Sequence, residues 1–292
     1  MSWWRGWRDR IETDAPLGAR TWYRIGGRAK WLAHPSDAES LSRLMSAVAA
    51  EGVPWRVLGR GANVLVRDEG FDGVVIVLDA PAFTKMTFED VSVCVGGGAD
   101  LMKLCKACCD RGLSGLEGLA AIPASVGGAV RMNAGGRYGE FGDRVRSISV
   151  VETGGALRDL SREDVGFGYR TWGLGRAIVT EVVMDLVRDD PVRVRGRFKE
   201  YWRLKRATQP VGERSAGCVF KNPPGASAGR MIDEAGLKGE RCGGAQVSPR
   251  HANFIVASAD ARASDVLALA QRVRDRVRER FGVELEQEME VW

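Results

Sequence analysis

One stretch of the chain combines an accessible thiol with polar side chains that suit a small-molecule site. Residues 215–223 read SAGCVFKNP, so that Cys218 lies between small neighbours and is followed by Lys221 and Asn222. A cysteine thiol can donate a proton or act as a nucleophile, although most lone cysteines are buried and inert. Taken alone, this stretch favours a structural cysteine, and a thiol that meets substrate is the alternative.

Arg170 could hold a carboxylate, and at least one of two acids near the C-terminus could face a cleft. Arg170 follows the aromatic Tyr169, and an arginine can hold a carboxylate through two parallel N–H groups that fix its orientation. Glu286 and Glu288 alternate near the C-terminus, which directs both to the same face of a strand. We expect one of these acids to face a cleft. The alternatives are a solvated arginine and an edge strand whose acids serve solubility.

Two stretches of small residues are suited to binding a cofactor. Residues 59–63 follow a predicted strand, and residues 121–129 carry almost no charge before a second small-residue turn at 133–136. Short side chains let backbone N–H groups approach phosphates, or let the chain lie flat against a planar ligand such as a flavin. The first stretch lacks the spacing of a G-x-G-x-x-G loop. Taken alone, the first stretch is more often an ordinary turn, and a tight domain junction is the alternative for the second.

The composition limits the classes of protein that can carry these sites. A chain of 292 residues with 45% hydrophobic and 28% charged residues predicts two or three globular domains and excludes intrinsic disorder. No apolar run reaches the roughly 18 to 20 residues of a membrane helix. Residues 1–10 mix tryptophan and arginine without an apolar core, so we predict no secretory signal and a cytoplasmic location.

Charge and cysteine content narrow the expectations further. The net charge of +5 is dispersed along the chain, which does not favour nucleic-acid binding. The six cysteines are expected to be free thiols, since a cytosolic chain of this size does not need disulfides. Cys105, Cys108 and Cys109 resemble half of a metal site, but a second group of ligands is missing from the sequence, and we predict no metal. Oligomeric state is not predicted.

Hydrophobic periodicity predicts the elements that position the candidate residues. Helices are expected at 99–111, 192–205, 228–235 and 265–280. Strands are expected at 55–58, 74–78, 91–95, 147–152, 178–186, 251–257 and 283–291. The longest helix places Val266, Leu269, Val273 and Val277 on one face, which should be buried.

In chain order, these blocks resemble the UDP-N-acetylenolpyruvoylglucosamine reductase family, the MurB-type flavoenzymes of peptidoglycan precursor synthesis. The resemblance runs from about residue 21 to 288, and the length best matches the shorter type that lacks an extra tyrosine-bearing loop. The segments that carry it are residues 21–27, 58–66, 115–135, 169–170, 215–223, 235–239, 251–254 and 285–288.

The resemblance implies an α+β fold in which a two-part FAD-binding region of the vanillyl-alcohol-oxidase (PCMH) type precedes a C-terminal α+β substrate-binding domain. The implied boundaries are 1–80, joined by a C-terminal strand at 283–292, then 81–190 and 191–292. FAD would bind non-covalently, with NADPH as co-substrate and an enolpyruvyl UDP-sugar as substrate. The implied FAD contacts are Gly59, Arg60, Gly61, Ala62, Asn63, Ile122, Pro123, Ala124, Ser125, Val126, Gly127, Gly128 and Ala129, and the implied substrate contacts are Tyr169, Lys221 and Asn222.

The family's chemistry also suggests roles for three residues. Arg170 would hold the substrate carboxylate, Glu288 would orient and polarise it, and Cys218 would protonate the adjacent carbon. Cys218 departs from the serine that the family usually has, and we expect activity that declines with a thiol-like alkaline limb. Ala124 stands where glycine is common, which requires a negative φ. The alternatives are a related FAD-dependent oxidase and a flavin-binding protein that has lost catalysis.

Overall fold

The computed structural model describes Trp7 and residues 10–292. The rest of the tryptophan- and arginine-rich segment, on which the prediction of no secretory signal was made, lies outside the described residues. The chain forms two compact units. Unit 1 comprises the described residues up to Asp14 together with Lys30–Arg60 and Asp72–Leu204, and unit 2 comprises Ala15–Ala29, Gly61–Phe71 and Lys205–Trp292.

The elements alternate along the chain in a mixed α and β order. The helices are α1 (Ala38–Ala50), α2 (Pro81–Thr84), α3 (Leu101–Asp110), α4 (Val126–Arg131), α5 (Arg162–Val165), α6 (Pro191–Thr208), α7 (Ala228–Glu234) and α8 (Ala263–Phe281). The strands are β1 (Ile11–Pro16), β2 (Arg28–Ala33), β3 (Trp55–Val57), β4 (Val64–Leu65), β5 (Phe71–Ile76), β6 (Met86–Glu89), β7 (Ser92–Gly96), β8 (Leu113–Ser114), β9 (Gly135–Gly136), β10 (Gly139–Glu140), β11 (Val145–Val151), β12 (Leu157–Ser161), β13 (Ile178–Asp185), β14 (Val187–Arg188), β15 (Arg241–Cys242), β16 (Ala245–Val247), β17 (Ile255–Ala257) and β18 (Glu290–Val291).

The larger core of unit 1 is built on an antiparallel sheet in the order β12-β11-β13-β7-β6. Ile148 of β11 lies opposite Leu160 on one side and Val182 on the other, and all three are buried. Alternating apolar residues thus give the sheet one apolar face, which α3 helps to cover. Asp100 begins α3 by accepting a hydrogen bond from the Lys103 N–H at 2.9 Å.

A second core of unit 1 forms around α1 and the parallel pair β3 and β5, where Trp55 lies opposite Val74. Asp37 caps α1 by accepting the Ser40 N–H at 2.7 Å, and Leu41 and Leu44 bury the apolar face of the helix. Strand β3 ends at Val57, and the Leu58 N–H donates to the Ile76 carbonyl at 2.9 Å just before the glycine-rich turn at residue 59.

Unit 2 packs α8 against the three-stranded sheet β15-β16-β17. The predicted apolar face of α8 is buried, and the helix ends at Gly282, whose φ of 68° favours glycine. Tyr23 is also fully buried and donates its hydroxyl hydrogen to the Ile255 carbonyl at 2.9 Å. Strand β18 pairs in parallel with β4, so the last residues of the chain lie beside the segment that follows the glycine-rich turn.

The predicted helices are confirmed with small shifts of their ends. Two predicted strands are wrong in extent. Residues 251–257 form a strand only at Ile255–Ala257, because the preceding residues turn back on themselves through a hydrogen bond from the Phe254 N–H to the His251 carbonyl. Residues 283–291 form a strand only at Glu290–Val291, with one isolated bridge between Gln287 and Phe220. The six cysteines, all of them among the described residues, form no disulfide. The helices found over the described residues include none that is long and apolar enough to cross a bilayer.

Candidate functional site

Within unit 1, the small-residue stretch at 122–129 is joined by backbone hydrogen bonds to the glycine-rich segment at 96–101. The Val126 N–H donates to the Ala99 carbonyl at 2.9 Å, and the Gly127 N–H donates to the Gly97 carbonyl at 2.7 Å. The Leu101 N–H donates to the Ala124 carbonyl at 3.1 Å. Residues 122–129 therefore lie alongside the glycine triplet 96–98, a contact that the sequence did not predict.

Glycine is required at this contact because other chain atoms occupy the space of a side chain. A Cβ on Gly59 would lie 2.2 Å from the Oγ of Ser125, and a Cβ on Gly97 would lie 2.1 Å from the Val179 carbonyl oxygen. Ser125 is itself held in place, because its Oγ accepts the Gly128 N–H at 3.2 Å and begins α4. Arg60, next to Gly59, forms an ion pair with Asp100 at 2.8 Å.

Two alanines in the second stretch, Ala121 and Ala124, differ in the sign of their backbone φ angle. Ala121 adopts a φ of 64°, a left-handed conformation that is costly for a residue with a Cβ. Ala124 is not among the described residues with positive φ. The condition that we set for an alanine at position 124 is therefore met, and its methyl group causes no backbone strain.

The second half of the glycine-rich turn belongs to unit 2. Gly61 has a φ of 64°, and a Cβ there would lie 2.5 Å from the Arg20 carbonyl oxygen. Asn63 donates from Nδ2 to the Glu288 carbonyl at 3.1 Å, and its own carbonyl accepts the Glu290 N–H at 3.0 Å. Asn63 thus supports the C-terminal segment, and its contact with FAD stays a prediction.

The segments that carry Cys218 and Glu288 lie side by side in unit 2. The Val219 carbonyl accepts the Glu288 N–H at 2.8 Å, and the Lys221 N–H donates to the Glu286 carbonyl at 2.8 Å. Cys218 follows Gly217, whose φ is 74°, and the thiol is half-buried. The structure therefore brings together two of the three residues to which the resemblance assigns chemistry.

The two acids near the C-terminus differ in environment. Glu286 is exposed and forms an ion pair with Lys221 at 2.6 Å, whereas Glu288 is half-buried. The lower exposure supports Glu288 as the acid that faces a cleft. Asn222 is exposed, and its Oδ1 accepts the Ala228 N–H at 3.0 Å, where α7 begins. The substrate contacts assigned to Lys221 and Asn222 stay predictions.

Arg170 belongs to unit 1 and has an unusual backbone conformation. Its φ is 54°, and its Nη2 donates to the Gly135 carbonyl at 2.8 Å. The guanidinium carbon lies 5.2 Å from the centre of the Tyr169 ring, within the range of a cation–π contact. Strained backbone is common at functional sites, which is consistent with a special role for Arg170. The meeting of Arg170 with Cys218 and Glu288 stays a prediction.

Sequence reasoning assigned no role to Glu117, although the residue lies in a segment that carries the resemblance. Its buried carboxylate accepts the Gly115 N–H at 2.6 Å and pairs with Arg197, whose Nη2 lies 2.8 Å from Oε1. Burial opposes ionisation, but these hydrogen bonds and the guanidinium lower the pKa of Glu117 overall. Arg197 also binds Asp189 at 2.8 Å, and it lowers the pKa of that acid to about 2.

Asn253 and His251 are likewise absent from the predicted site. The Asn253 side chain is buried and bonds both backbone groups of Phe220, and its N–H donates to His251 Nδ1 at 3.3 Å. Burial lowers the pKa of His251, so the neutral ring with an acceptor at Nδ1 is favoured. The sequence marked residues 251–254 as a motif, but periodicity gave no sign that Asn253 contacts a segment so distant in the chain.

Comparisons with known proteins cover both parts of the chain. Residues 29–161 match the FAD binding domain, and residues 209–292 match the C-terminal domain of UDP-N-acetylenolpyruvoylglucosamine reductase. The UDP-N-acetylenolpyruvoylglucosamine reductase 2 of Symbiobacterium thermophilum is 45% identical over 97% of this chain and 92% of its own length. The UDP-N-acetylenolpyruvoylglucosamine reductase of Heliobacterium modesticaldum is 43% identical over 98% of this chain and 92% of its own length.

Solved structures agree with these matches. The crystal structure of UDP-N-acetylenolpyruvylglucosamine reductase (MurB) from Thermus caldophilus has a TM-score of 0.84 and 43% identity, and covers 97% of this chain and 99% of its own. Phl p 4.0202, a glucose dehydrogenase, has a TM-score of 0.51 and 17% identity over 63% of this chain and 42% of its own, and shows the fold alone. The predicted α+β fold with an FAD-binding region of the PCMH type is confirmed. The chain belongs to the UDP-N-acetylenolpyruvoylglucosamine reductase family.

Proposed function

We propose that the protein reduces UDP-N-acetylglucosamine enolpyruvate to UDP-N-acetylmuramate, with FAD as bound cofactor and NADPH as electron donor. The reaction would take place in the cytoplasm as a step of peptidoglycan precursor synthesis. The observation that carries the proposal is the direct pairing of the Cys218 and Glu288 segments in a chain 45% identical to a named reductase along nearly its whole length. That pairing supports the proposal, because the proposed reaction needs an acid and a proton donor close to each other.

The small-residue stretches fit a cofactor with a diphosphate and a planar ring. Gly59 and Ser125 lie close together, and residues 121–124 are half-buried, which supports a cofactor site along this part of the chain. We assign FAD to residues 59–63 and 122–129. When bound and reduced, FAD supplies the hydride that adds to the terminal carbon of the enolpyruvyl group.

The protein's own residues would then control charge and proton. Arg170 binds the substrate carboxylate, on which negative charge grows as the hydride arrives, and Glu288 orients and polarises the same group. The Cys218 thiol gives its proton to the carbon next to the carboxylate, leaving a thiolate that water reprotonates. The net change is two electrons and one proton from NADPH and one proton from solvent.

The experiment is oxidation of NADPH by purified protein loaded with FAD, measured with and without the enolpyruvyl UDP-sugar and in both the absence and the presence of oxygen. Sugar-dependent oxidation with formation of the lactyl ether, identified by mass spectrometry, supports the proposal. Oxidation that requires oxygen instead of the sugar indicates an oxidase, and bound flavin without turnover indicates a binding protein. Either of these results rejects the proposed function.

A further inference from the structure

The buried side chain of Asn253 binds the main chain that immediately follows Cys218. Its Oδ1 accepts the Phe220 N–H at 3.0 Å, and its Nδ2 donates to the Phe220 carbonyl at 2.7 Å. The Asn253 carbonyl also accepts the Val219 N–H at 2.8 Å. Asn253 thus forms hydrogen bonds with three backbone groups that lie within two residues of Cys218. A paired neighbouring strand would form similar hydrogen bonds.

The same stretch is joined to Glu288 on its other side. The Val219 carbonyl accepts the N–H groups of Glu288 at 2.8 Å and Met289 at 3.3 Å. Asn63 holds the Glu288 carbonyl from a third segment, at 3.1 Å. Val219 is therefore the common link, because it is bonded to Asn253 through its N–H and to Glu288 through its carbonyl.

We propose that Asn253 is a positioning residue for proton transfer from Cys218, acting through the main chain of Val219 and Phe220. The inference rests on the proposed function. In that step a C–H bond forms at the carbon next to the substrate carboxylate while the S–H bond of Cys218 breaks. The S–H electron pair remains on sulfur, and water returns the proton.

The geometry explains why loss of Asn253 should act on this step. A donor must lie within hydrogen-bond reach of the carbon it protonates, and a displacement of about 1 Å can cost roughly 100-fold in rate. Without the Asn253 amide, both Phe220 backbone groups lose their partners in a buried setting, and the stretch must shift to satisfy them. The Cys218 thiol moves when the main chain of residues 219–220 shifts. Residues 122–129 of unit 1 contribute no atom to these hydrogen bonds.

The test compares Asn253→Ala with Ser248→Ala as the matched control. Ser248 is equally buried and its Oγ accepts the Arg250 and His251 N–H groups in the same turn, but these bonds do not reach residues 219–220. Stopped-flow measurement separates reduction of the flavin by NADPH from its reoxidation by the enolpyruvyl sugar. For Asn253→Ala we expect reoxidation to slow by about 10- to 100-fold and to show a larger solvent deuterium isotope effect. Reduction by NADPH should stay within about twofold, as should both steps in Ser248→Ala.

A second readout does not depend on activity. The rate of iodoacetamide modification of Cys218 in the FAD-free protein, followed by peptide mass mapping, reports how firmly residues 218–220 are held. Asn253→Ala should raise this rate severalfold, and Ser248→Ala should leave it unchanged. Asn253→Asp keeps an acceptor for the Phe220 N–H and should recover part of both the rate of reoxidation and the slow modification.

The outcomes separate this inference from the proposed function. Absence of sugar-dependent turnover in the wild-type protein rejects the function, while the modification experiment still measures whether Asn253 positions the thiol. In an active wild-type protein, equal slowing of both half-reactions, or unchanged reoxidation in a folded Asn253→Ala, overturns the inference. If neither Asn253 variant folds by circular dichroism, the residue is purely structural and the inference is equally rejected.

Discussion

The close approach of Gly59 to Ser125 leads to a quantitative prediction about how residues 59–63 pack against residues 122–129. In Gly59→Ala the new Cβ would start 2.2 Å from Ser125 Oγ, so the hydroxyl must leave its position against the Gly128 N–H. Loss of this N-cap costs about 1 kcal/mol, and the overpacked contact costs about 1 to 3 kcal/mol. We expect the free energy of unfolding to fall by about 2 to 4 kcal/mol.

A double-mutant cycle tests whether the clash is the cause. Ser125→Ala removes the hydroxyl and leaves the Cβ of residue 125, which lies 3.3 Å from the position of the new methyl group. The variant Gly59→Ala/Ser125→Ala should therefore lose only the cap, about 1 kcal/mol, and be more stable than Gly59→Ala alone. Additive effects in the cycle would refute the reasoning.

Urea unfolding of the FAD-free protein measures these stabilities, and quenching of flavin fluorescence measures the affinity for FAD. Gly154→Ala is the control, because a Cβ there has nothing within 4 Å and its φ is not in the left-handed range. The control should be neutral or slightly stabilising. The weakest FAD binding is expected for Gly59→Ala, with partial recovery in the double variant.

Three further predictions concern single side chains. Cys218→Ser should stay active and move the alkaline limb of the pH–rate profile, while Cys218→Ala should lose roughly 100-fold in turnover; an unchanged rate in the alanine variant would remove the thiol from the mechanism. Glu117→Gln should lower stability at pH 7 by about 2 kcal/mol, the scale of hydrogen bonds to a charged group. Because the folded-state pKa of Glu117 is lowered, its contribution is present above the unfolded pKa of about 4.3 and is lost as pH falls through the folded pKa, so urea unfolding at pH 3 should show a smaller difference. Burial lowers the pKa of His251, so stability should decline as pH falls below about 6.5, and His251→Gln should flatten that part of the stability curve.

Hydrophobic periodicity predicted the helices well because the spacing of apolar residues within each helix determines which face is buried. In α8, Val266, Leu269, Val273 and Val277 are all fully or almost fully buried, as the three- and four-residue intervals indicate. The C-terminal strand was overestimated for the opposite reason. Alternation of Glu286 and Glu288 is compatible with a strand, but only one bridge, between Gln287 and Phe220, forms there. Whether such a segment becomes a strand depends on a partner that local sequence does not specify.

The candidate site was predictable in its residue types and not in its contacts. Small residues at 59 and at 122–129 indicated close approach to a ligand. Gly59 must also lack a side chain for another reason, because Ser125 lies against it. Asn63 looked like part of a phosphate-binding turn, and its amide is directed to the Glu288 carbonyl, 225 positions away. Hydrogen bonds between distant segments follow from the tertiary fold, so spacing within one segment cannot reveal them.

The hydrogen bonds around residue 218 also bear on our expectation that a thiol can replace the hydroxyl at this position. Asn253 binds the backbone of Phe220 and Val219, and Glu288 binds the Val219 carbonyl, so these contacts do not depend on the side chain at position 218. Exchanging oxygen for sulfur therefore leaves the Cα in place and changes only the reach and acidity of the donor. It follows that Asn253→Ala should impair a Cys218→Ser background as it impairs the native protein. A defect confined to the thiol form would mean that Asn253 acts on the sulfur itself and not on the main chain.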